Sequence, residues 1–270
     1  MNEVDNSADI SRRFSGLARL YGNDAPAQLA QGHIAVAGLG GVGSWCAEAL
    51  ARSGVGQLTL IDLDHIAESN INRQVHALTD TLGQSKVQAM AQRIEGINPA
   101  CRLTVVDDFV APENVSTVFD SGVQVVIDCT DQIIAKVAMI LEARRRRIPV
   151  VVCGGAGGKT DLLALKADDL AFSTNDALLA KLRHVLRRHH GFPKGGAAGG
   201  KARRRVPKMG VRVIWFDQAA VLPAEWQNGE MPAGAPQGLS CAGYGSAVAL
   251  TATMGLVAAN DAIQQLLKKH

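Results

Sequence analysis

Short hydrophobic runs alternate along the first half of the chain with segments whose apolar positions repeat at the helical period. The runs predict strands at residues 34–37, 58–61, 103–106, 123–127 and 150–153. The intervening segments 42–53, 85–98 and 132–146 have the length and the two faces of covering helices. Alternating strands and helices are typical of repeated βαβ units, so the pattern predicts an α/β fold with a doubly wound, Rossmann-like parallel sheet.

The pattern changes after residue 154. We expect a strand at residues 161–166, a helix at 176–189 that Asp176 opens, a strand at 211–216 and a long closing helix at 244–267. Residues 191–200 are rich in glycine and cannot pack a core. The second half therefore reads as a C-terminal extension of strands and a closing helix.

A glycine-rich run, Gly38-Leu39-Gly40-Gly41-Val42-Gly43, follows the first predicted strand and opens a helix. Gly38, Gly40, Gly41 and Gly43 would let backbone N–H groups approach a phosphate at the positive end of the helix dipole. Asp62 ends the next strand, where a carboxylate can accept hydrogen bonds from ribose hydroxyls. These signals predict a nucleotide site, but a nicotinamide-dependent dehydrogenase fits them equally well.

Three further elements separate these interpretations: Ser69-Asn70-Ile71-Asn72-Arg73-Gln74, Lys86, and Asp131 at the end of the fourth strand. Two cations beside a phosphate cradle suit a triphosphate, whose charge must be neutralised while a carboxylate attacks the α-phosphorus. Asp131 is placed to hold magnesium that bridges the phosphates. Singly, Arg73 fits a surface cation and Asp131 a helix N-cap. Together, the motifs favour ATP with magnesium over a dinucleotide.

From about Arg13 to Gly155 the motifs resemble the adenylating superfamily that includes ubiquitin-activating enzymes and the bacterial molybdopterin and thiamine pathway adenylyltransferases. The resemblance implies a homodimer in which Arg13 or Arg19 reaches the partner's phosphates. It also implies that the following residues bind ATP: Gly38, Gly40, Gly41, Gly43, Asp62, Ser69, Asn70, Gln74, Arg73, Lys86 and Asp131. Of these, Arg73, Lys86 and Asp131 are the predicted catalytic residues.

Both ends of the chain are similar to the tRNA threonylcarbamoyladenosine dehydratases, through residues 13–22 (RFSGLARLYG) and residues 240–245 (SCAGYG). That family uses ATP to cyclise the threonylcarbamoyl group on the adenosine beside the tRNA anticodon. The resemblance implies an adenylating ligase or cyclase that acts on tRNA. It further implies one adenylating domain with a helical arm (1–32), a nucleotide-binding core (33–158) and a substrate and dimer portion (159–270).

Two other functions stay open at this point. An adenylyltransferase that activates the C-terminus of a ubiquitin-like sulfur-carrier protein usually carries two C-x-x-C pairs for zinc, whereas the five cysteines here form none. We therefore expect no zinc, and a sulfur-transfer protein stays a candidate partner. An oxidoreductase or a nucleotide sensor does not need the set of Arg73, Lys86 and Asp131. Cys241 is either a thioester-forming nucleophile or a buried core cysteine.

The net charge of +3 is unevenly distributed. Residues 181–208 hold ten of the 28 Lys and Arg and no acid, which leaves the remainder at −7. This basic insertion predicts a contact with the tRNA backbone, although a solvated loop gives the same composition. The polar, acidic start lacks the features of a secretory signal, and the uncharged run 238–260 is interrupted by glycines. We expect a cytoplasmic protein without stable membrane insertion.

Overall fold

A computed structural model describes residues 9–119, 122–195, 206–222 and 244–268. Their strands form one seven-stranded sheet in the order β3-β2-β1-β4-β5-β7-β6. All neighbours pair in parallel except β6 and β7, which are antiparallel. The strands are β1 (His33–Ala37), β2 (Gln57–Ile61), β3 (Arg102–Val106), β4 (Val125–Asp128), β5 (Val150–Cys153), β6 (Leu165–Asp169) and β7 (Arg212–Phe216). The predicted doubly wound α/β fold is confirmed.

Helices cover both faces of the sheet. They are α1 (Ile10–Tyr21), α2 (Ala25–Ala30), α3 (Gly43–Arg52), α4 (Lys86–Ile97), α5 (Val115–Val118), α6 (Ile133–Arg146), α7 (Ala177–His189) and α8 (Val248–Leu267). One face packs against α3, α4 and α8, and the opposite face against α5, α6 and α7. Because both faces are covered, the central strands are apolar along their whole length, which is why they appear as continuous hydrophobic runs in the sequence.

Alternation along each central strand divides its side chains between the two layers. In β1, Ile34 and Val36 belong to the core beneath α3 and α8, whereas Ala35 and Ala37 belong to the core beneath α6. All four are fully buried.

The closing helix α8 is the main cover of one face and packs closely on α3. A Cβ atom added to Gly255 would lie 2.3 Å from the carbonyl oxygen of Val42, so only glycine allows this helix crossing. Met254 and Ala258 are fully buried beside it. No helix in the part of the chain that the structure describes is long and apolar enough to cross a membrane.

Two boundaries differ from the sequence prediction. The strand predicted at residues 161–166 is wrong in position: Asp161 accepts a hydrogen bond from the N–H of Leu163 and starts a 3-10 turn, so β6 begins only at Leu165. The closing helix begins at Val248 and not at residue 244, because Gly245 has a φ of 73° and its carbonyl accepts the N–H of Gly158. The prediction that Asp176 opens α7 is confirmed by its hydrogen bond from the N–H of Leu179.

Candidate active site

The strand order reverses between β1 and β4, and a cavity of about 650 Å³ opens there beyond the carboxyl ends of the strands. Ligands of doubly wound folds bind at this kind of switch point. The cavity wall includes most of the residues predicted from the sequence: Gly38, Gly40, Gly41, Asp62, Arg73, Gln74, Lys86 and Asp131. The tertiary fold therefore brings residues from five separate segments to one place.

The glycine-rich turn between β1 and α3 is shaped by close backbone contacts. Gly38 has a φ of 84°, and a Cβ atom on it would lie 2.9 Å from the carbonyl carbon of Cys129. A Cβ atom on Gly43 would lie 1.8 Å from the carbonyl oxygen of Gly38. Gly40, in contrast, has open space in front of it. Gly38 and Gly43 thus shape the turn, while Gly40 leaves room for a ligand to approach the backbone.

Asp62, at the end of β2, fixes the turn through its carboxylate. One oxygen accepts the N–H of Leu39 at 2.5 Å, and the other accepts the N–H of Asp64 at 2.9 Å. Burial raises the pKa of Asp62, whereas the cation of Lys86, 3.8 Å away, opposes this rise. A carboxylate in this position both holds the glycine turn and presents negative charge at the cavity wall.

Lys86, the first residue of α4, is almost completely buried. Its Nζ donates to the Asp64 carboxylate at 2.6 Å and lies near Asp62. The two partners differ, because the Asp64 side chain is 72% exposed and that of Asp62 only 10%. The Asp64 pair is consequently the one that an incoming phosphate can replace, because the exposed Asp64 carboxylate can return to water when it leaves Lys86. Asp64 was not identified from the sequence.

Arg73 reaches the cavity from a loop whose shape depends on its neighbours. Its Nη1 donates to the carbonyl oxygen of Ser69 at 2.7 Å, and its own carbonyl accepts the indole N–H of Trp45. The Asn70 side chain accepts the N–H of Ala67, and its carbonyl receives the N–H groups of Arg73 and Gln74. Three predicted ATP-site residues, Gly43, Ser69 and Asn70, do not line the cavity, and the structure gives them supporting positions around it.

Asp131 lies on the cavity wall with an exposed side chain. The alternative that it caps a helix is not supported, since Gln132 occupies the N-cap of α6. The Asp131 carboxylate accepts one hydrogen bond, from the Gln132 amide at 3.2 Å. It therefore keeps oxygen lone pairs available to a ligand.

Beneath Asp131 lies a fully buried ion pair that the sequence analysis missed. The Lys136 Nζ is 3.2 Å from the Asp128 carboxylate, and it also donates to the carbonyl oxygen of Cys153 at 2.9 Å. The same Asp128 oxygen accepts the N–H and the hydroxyl of Thr130. Burial raises the pKa of Asp128, while Lys136 and Thr130 oppose this rise. The pair joins the ends of β4 and β5, directly before Cys129 and Gly154 of the cavity wall.

The C-terminal segment completes the cavity with residues that no motif indicated. Ser246 and Thr251 both line it. The carbonyl oxygen of Ser246 accepts the amide of Asn72 at 3.0 Å, which ties the start of α8 to the loop of Arg73. Thr251 lies 3.0 Å from where a Cβ atom on Gly41 would stand. Sequence distance hid these contacts, since they form only when α8 packs on α3.

The remaining predicted residues lie elsewhere. Arg13 donates to the carbonyl oxygens of Gly96 and Ile97 at the end of α4, and neither Arg13 nor Arg19 lines the cavity. Cys241 lies outside the described residues. The basic insertion is described only at residues 181–195 and 206–208, so Arg203 to Arg205 also lie outside.

A match to the model of the ThiF family covers residues 12–270. The chain belongs to the ThiF family. It is 44% identical over 262 residues to the tRNA threonylcarbamoyladenosine dehydratase of Escherichia coli, which covers 96% of this chain and 94% of the relative. The resemblance stated from the sequence is therefore confirmed.

Solved structures agree with this assignment. The crystal structure of the Escherichia coli dehydratase in complex with ATP superposes with a TM-score of 0.81 at 42% identity, over 96% of each chain. A structure of the same protein with AMP is equally similar. The molybdopterin-synthase adenylyltransferase of Salmonella typhimurium is a more distant relative, 31% identical over 52% of this chain and 56% of its own length.

One buried histidine, two residues after Gln74 of the cavity wall, has an unusual environment. His76 is 2% exposed, and neither ring nitrogen has a hydrogen-bond partner among the described residues. Burial, together with the cations of Lys86 and Arg93, lowers its pKa to about 4. His76 is therefore neutral near pH 7, and protonation would place an unpaired charge beside Lys86.

We expect His76 to make the fold sensitive to mild acid. Its pKa is lower in the folded chain than in the unfolded chain, so stability is full above about pH 6.5 and falls as the pH drops toward about 4. When the pH falls from 7.5 to 5.5, this histidine alone should lower the free energy of unfolding by about 1.3 kcal/mol. Urea unfolding at both pH values measures this decrease in the free energy of unfolding. The decrease should be smaller by this amount in His76→Gln than in the wild-type protein. Equal drops in both proteins would contradict the prediction.

Proposed function

We propose that the chain catalyses the ATP-dependent dehydration of threonylcarbamoyladenosine in tRNA, through adenylation of the substrate carboxylate. The observation that carries this proposal is the cavity at the β1–β4 switch point, which Arg73 and Lys86 line together with the glycine-rich turn. The near full-length similarity to a protein of that activity supports it. We place the enzyme in the cytoplasm and class it as an adenylating ligase or cyclase.

The chemistry has two steps. A carboxylate oxygen of the substrate attacks the α-phosphorus of ATP, which forms an acyl adenylate and releases pyrophosphate. The neighbouring carbamoyl oxygen then attacks the acyl carbon, AMP leaves with the carboxylate oxygen, and the ring closes with loss of a proton. The second step is intramolecular and has a high effective concentration, so the protein chiefly has to position ATP and exclude water.

The cavity residues have separate roles in this proposal. The N–H groups at the glycine turn bind the phosphates, and Asp62 accepts the ribose hydroxyls. Lys86 turns from the exposed Asp64 carboxylate to the triphosphate, and Arg73 neutralises charge that develops as pyrophosphate leaves. Gln74 adds a buried amide oxygen that has no partner among the described residues. Ser69 and Asn70 hold the loop of Arg73.

A magnesium ion fits the Asp131 position. This carboxylate is exposed on the cavity wall, and magnesium in nucleotide sites is held by one or two carboxylates with water and phosphate oxygens. The ion would neutralise the charge of the ATP phosphates as the substrate carboxylate approaches the α-phosphorus. Asp131 would bind it, and the Asp128–Lys136 pair would position the loop that carries Asp131.

A labelled substrate tests the function directly. With tRNA that carries threonylcarbamoyladenosine labelled with heavy oxygen in its carboxylate, we expect pyrophosphate, cyclised tRNA and AMP that contains the label. Lys86→Ala should lower the rate by roughly 100-fold or more, because a charged contact to the developing phosphate charge is lost. Lys166→Ala, on strand β6 away from the cavity, is the control and should keep wild-type activity.

Two outcomes would contradict the function. Labelled product without label in AMP would exclude an acyl adenylate. Pyrophosphate release with a ubiquitin-like sulfur-carrier protein, and none with modified tRNA, would favour the alternative adenylyltransferase. In that case a sulfur-transfer protein, and not tRNA, would be the partner.

We also propose a homodimer in which Arg19 completes the partner's site. The arm helix α1 has no fully buried residue, which leaves much of its surface available for a second subunit. Arg13 is already bound to the end of α4. Arg19 is exposed and makes no hydrogen bond or ion pair among the described residues, so it is the better candidate of the two.

Mixed dimers test this arrangement. Arg19→Ala and Lys86→Ala chains should each be inactive alone. An equal mixture after subunit exchange should regain about one quarter of wild-type activity, because half of the dimers are mixed and each rebuilds one of two sites. Arg13→Ala in place of Arg19→Ala should be active alone. A monomer in sedimentation at assay concentration, or no recovery on mixing, would exclude the dimer site.

The basic insertion supplies a surface for the tRNA backbone. Its described part forms a groove of about 450 Å³ along α7, lined by Ala180, Arg183, His184, Arg187, Arg188 and Lys194. We call this the basic groove. Phosphate contacts of this kind position RNA without reading its bases. Arg203, Arg204 and Arg205 belong to the same predicted contact.

Charge reversal tests the basic groove. Arg187→Glu with Arg188→Glu should weaken tRNA binding and reduce the slope of log affinity against log salt by about 1.4 to 1.8, the value for two lost phosphate contacts. ATP binding should not change. Arg102→Glu, on β3 at the opposite edge of the sheet, is the charge control and should keep the slope. An unchanged slope in the double variant would show that tRNA binds another surface.

A further inference from the structure

A second cavity of about 410 Å³ adjoins the nucleotide cavity. We call it the side cavity. Gly155 and Leu178 line both cavities, so the two spaces share a wall. Ala180 and Arg183 line both the side cavity and the basic groove. The side cavity thus lies between the surface proposed for the RNA backbone and the site proposed for ATP.

Tyr244 provides an aromatic side chain on the wall of the side cavity. Its Cδ1 atom is 3.3 Å from where a Cβ atom on Gly158 would stand, so the ring packs over this glycine. The N–H of Gly158 donates to the carbonyl oxygen of Gly245 at 2.9 Å, which fixes the backbone next to the ring. Two residues later, Ser246 lines the nucleotide cavity. One short segment therefore contributes to both sites.

Arg183 gives the side cavity a positive charge. Its Nη1 donates to the carbonyl oxygens of Leu170 and Ser173 and to the Ser173 hydroxyl, all of which are neutral. Burial lowers the pKa of Arg183, the Arg187 cation adds to this effect, and Asp176 opposes it. A phosphate at the junction with the basic groove would supply an anionic partner for Arg183, whose acceptors named above are all neutral.

The loop between the two cavities is held in place. The N–H of Gly155 donates to the Asp176 carboxylate at 2.9 Å, and the other oxygen of this carboxylate caps α7. Lys159 is buried and donates to the carbonyl oxygens of Asn175 and Gln218. This fixed loop forms the wall between the two cavities. It suits a ligand that lies in the side cavity and holds its reacting end at a defined distance from a second reactant in the nucleotide cavity.

We propose that the side cavity binds the modified adenosine, extruded from the tRNA loop, with its base stacked on Tyr244. Arg183 contacts the adjoining phosphate, and the carboxylate of the modification passes Gly155 toward the α-phosphorus of ATP. Single-stranded loops are recognised by unstacked bases on aromatic side chains, which supports this occupant over an acyl group alone. The inference rests on the proposed function and adds the position of its substrate.

Steady-state kinetics on the full chain test the side cavity. Tyr244→Ala should lower kcat/KM for modified tRNA by at least about 5-fold, the lower end for loss of one base-stacking contact. Tyr244→Phe keeps the ring and should stay near wild type. Ala219→Trp, at an exposed position that lines the side cavity and neither the nucleotide cavity nor the basic groove, should block the side cavity and raise KM. The dissociation constant for ATP should be unchanged in all three variants.

The outcomes separate this inference from the function on which it rests. If the wild-type protein does not cyclise modified tRNA, the proposed function fails. If the wild type is active and both Tyr244→Ala and Ala219→Trp keep its kcat/KM, the side cavity does not hold the nucleoside. Loss of ATP binding in Tyr244→Ala would also overturn the assignment, because the effect would then come from the neighbouring Ser246.

Discussion

The close approach of backbone segments at the end of β1 is the constraint on which the site depends. Gly38 touches the end of β4, and Gly43 lets α3 start directly above the Gly38 carbonyl. Gly255 then allows α8 to lie on Val42, the residue before α3. A side chain at any of these glycines would separate two elements, and the phosphate-facing turn would lose its shape.

Two pairs of charged side chains are buried near the glycine turn, in a sheet whose other buried side chains are mostly apolar. Asp128 and Lys136 are completely buried, and Lys86 and Asp62 nearly so. Burial of an ion pair costs desolvation free energy that is offset only by good geometry and further hydrogen bonds. Both pairs have such bonds, through Thr130 and Cys153 in one case and Leu39 in the other. Their cost to stability is consistent with a role in positioning the site.

The second half of the chain extends this site to the surface. β7 continues the parallel sheet beside β5, and the antiparallel β6 closes its edge. This arrangement places α7 next to α6 and brings its first turn to the wall that the two cavities share. The apolar face of α7 packs on the sheet through Leu179, Leu182 and Leu186, whereas Lys181 and Arg188 are exposed on its outer side. One helix thereby both completes the core and carries the basic groove.

The sequence alone determined the first five strands, the helices between them and the glycine turn. These features depend on local periodicity and on residues that are close together in the chain. It also predicted Asp62, Arg73, Lys86 and Asp131 as site residues, from their positions at the ends of predicted strands or in a specific motif, and all four line the cavity. Only the tertiary structure decided which of the motif residues face the cavity. Asn70 turns its side-chain oxygen to the loop itself, where it accepts the N–H of Ala67, since a buried backbone N–H requires a partner. The backbone carbonyl of Ser69 accepts a hydrogen bond from the Arg73 guanidinium. Asp64, Lys136 and Ser246 could not be found from the sequence, because no motif marks them and their partners Lys86, Cys153 and Asn72 lie on other elements of the fold. Tyr244 belongs to the motif at residues 240–245, and only the fold decided that it lines the side cavity.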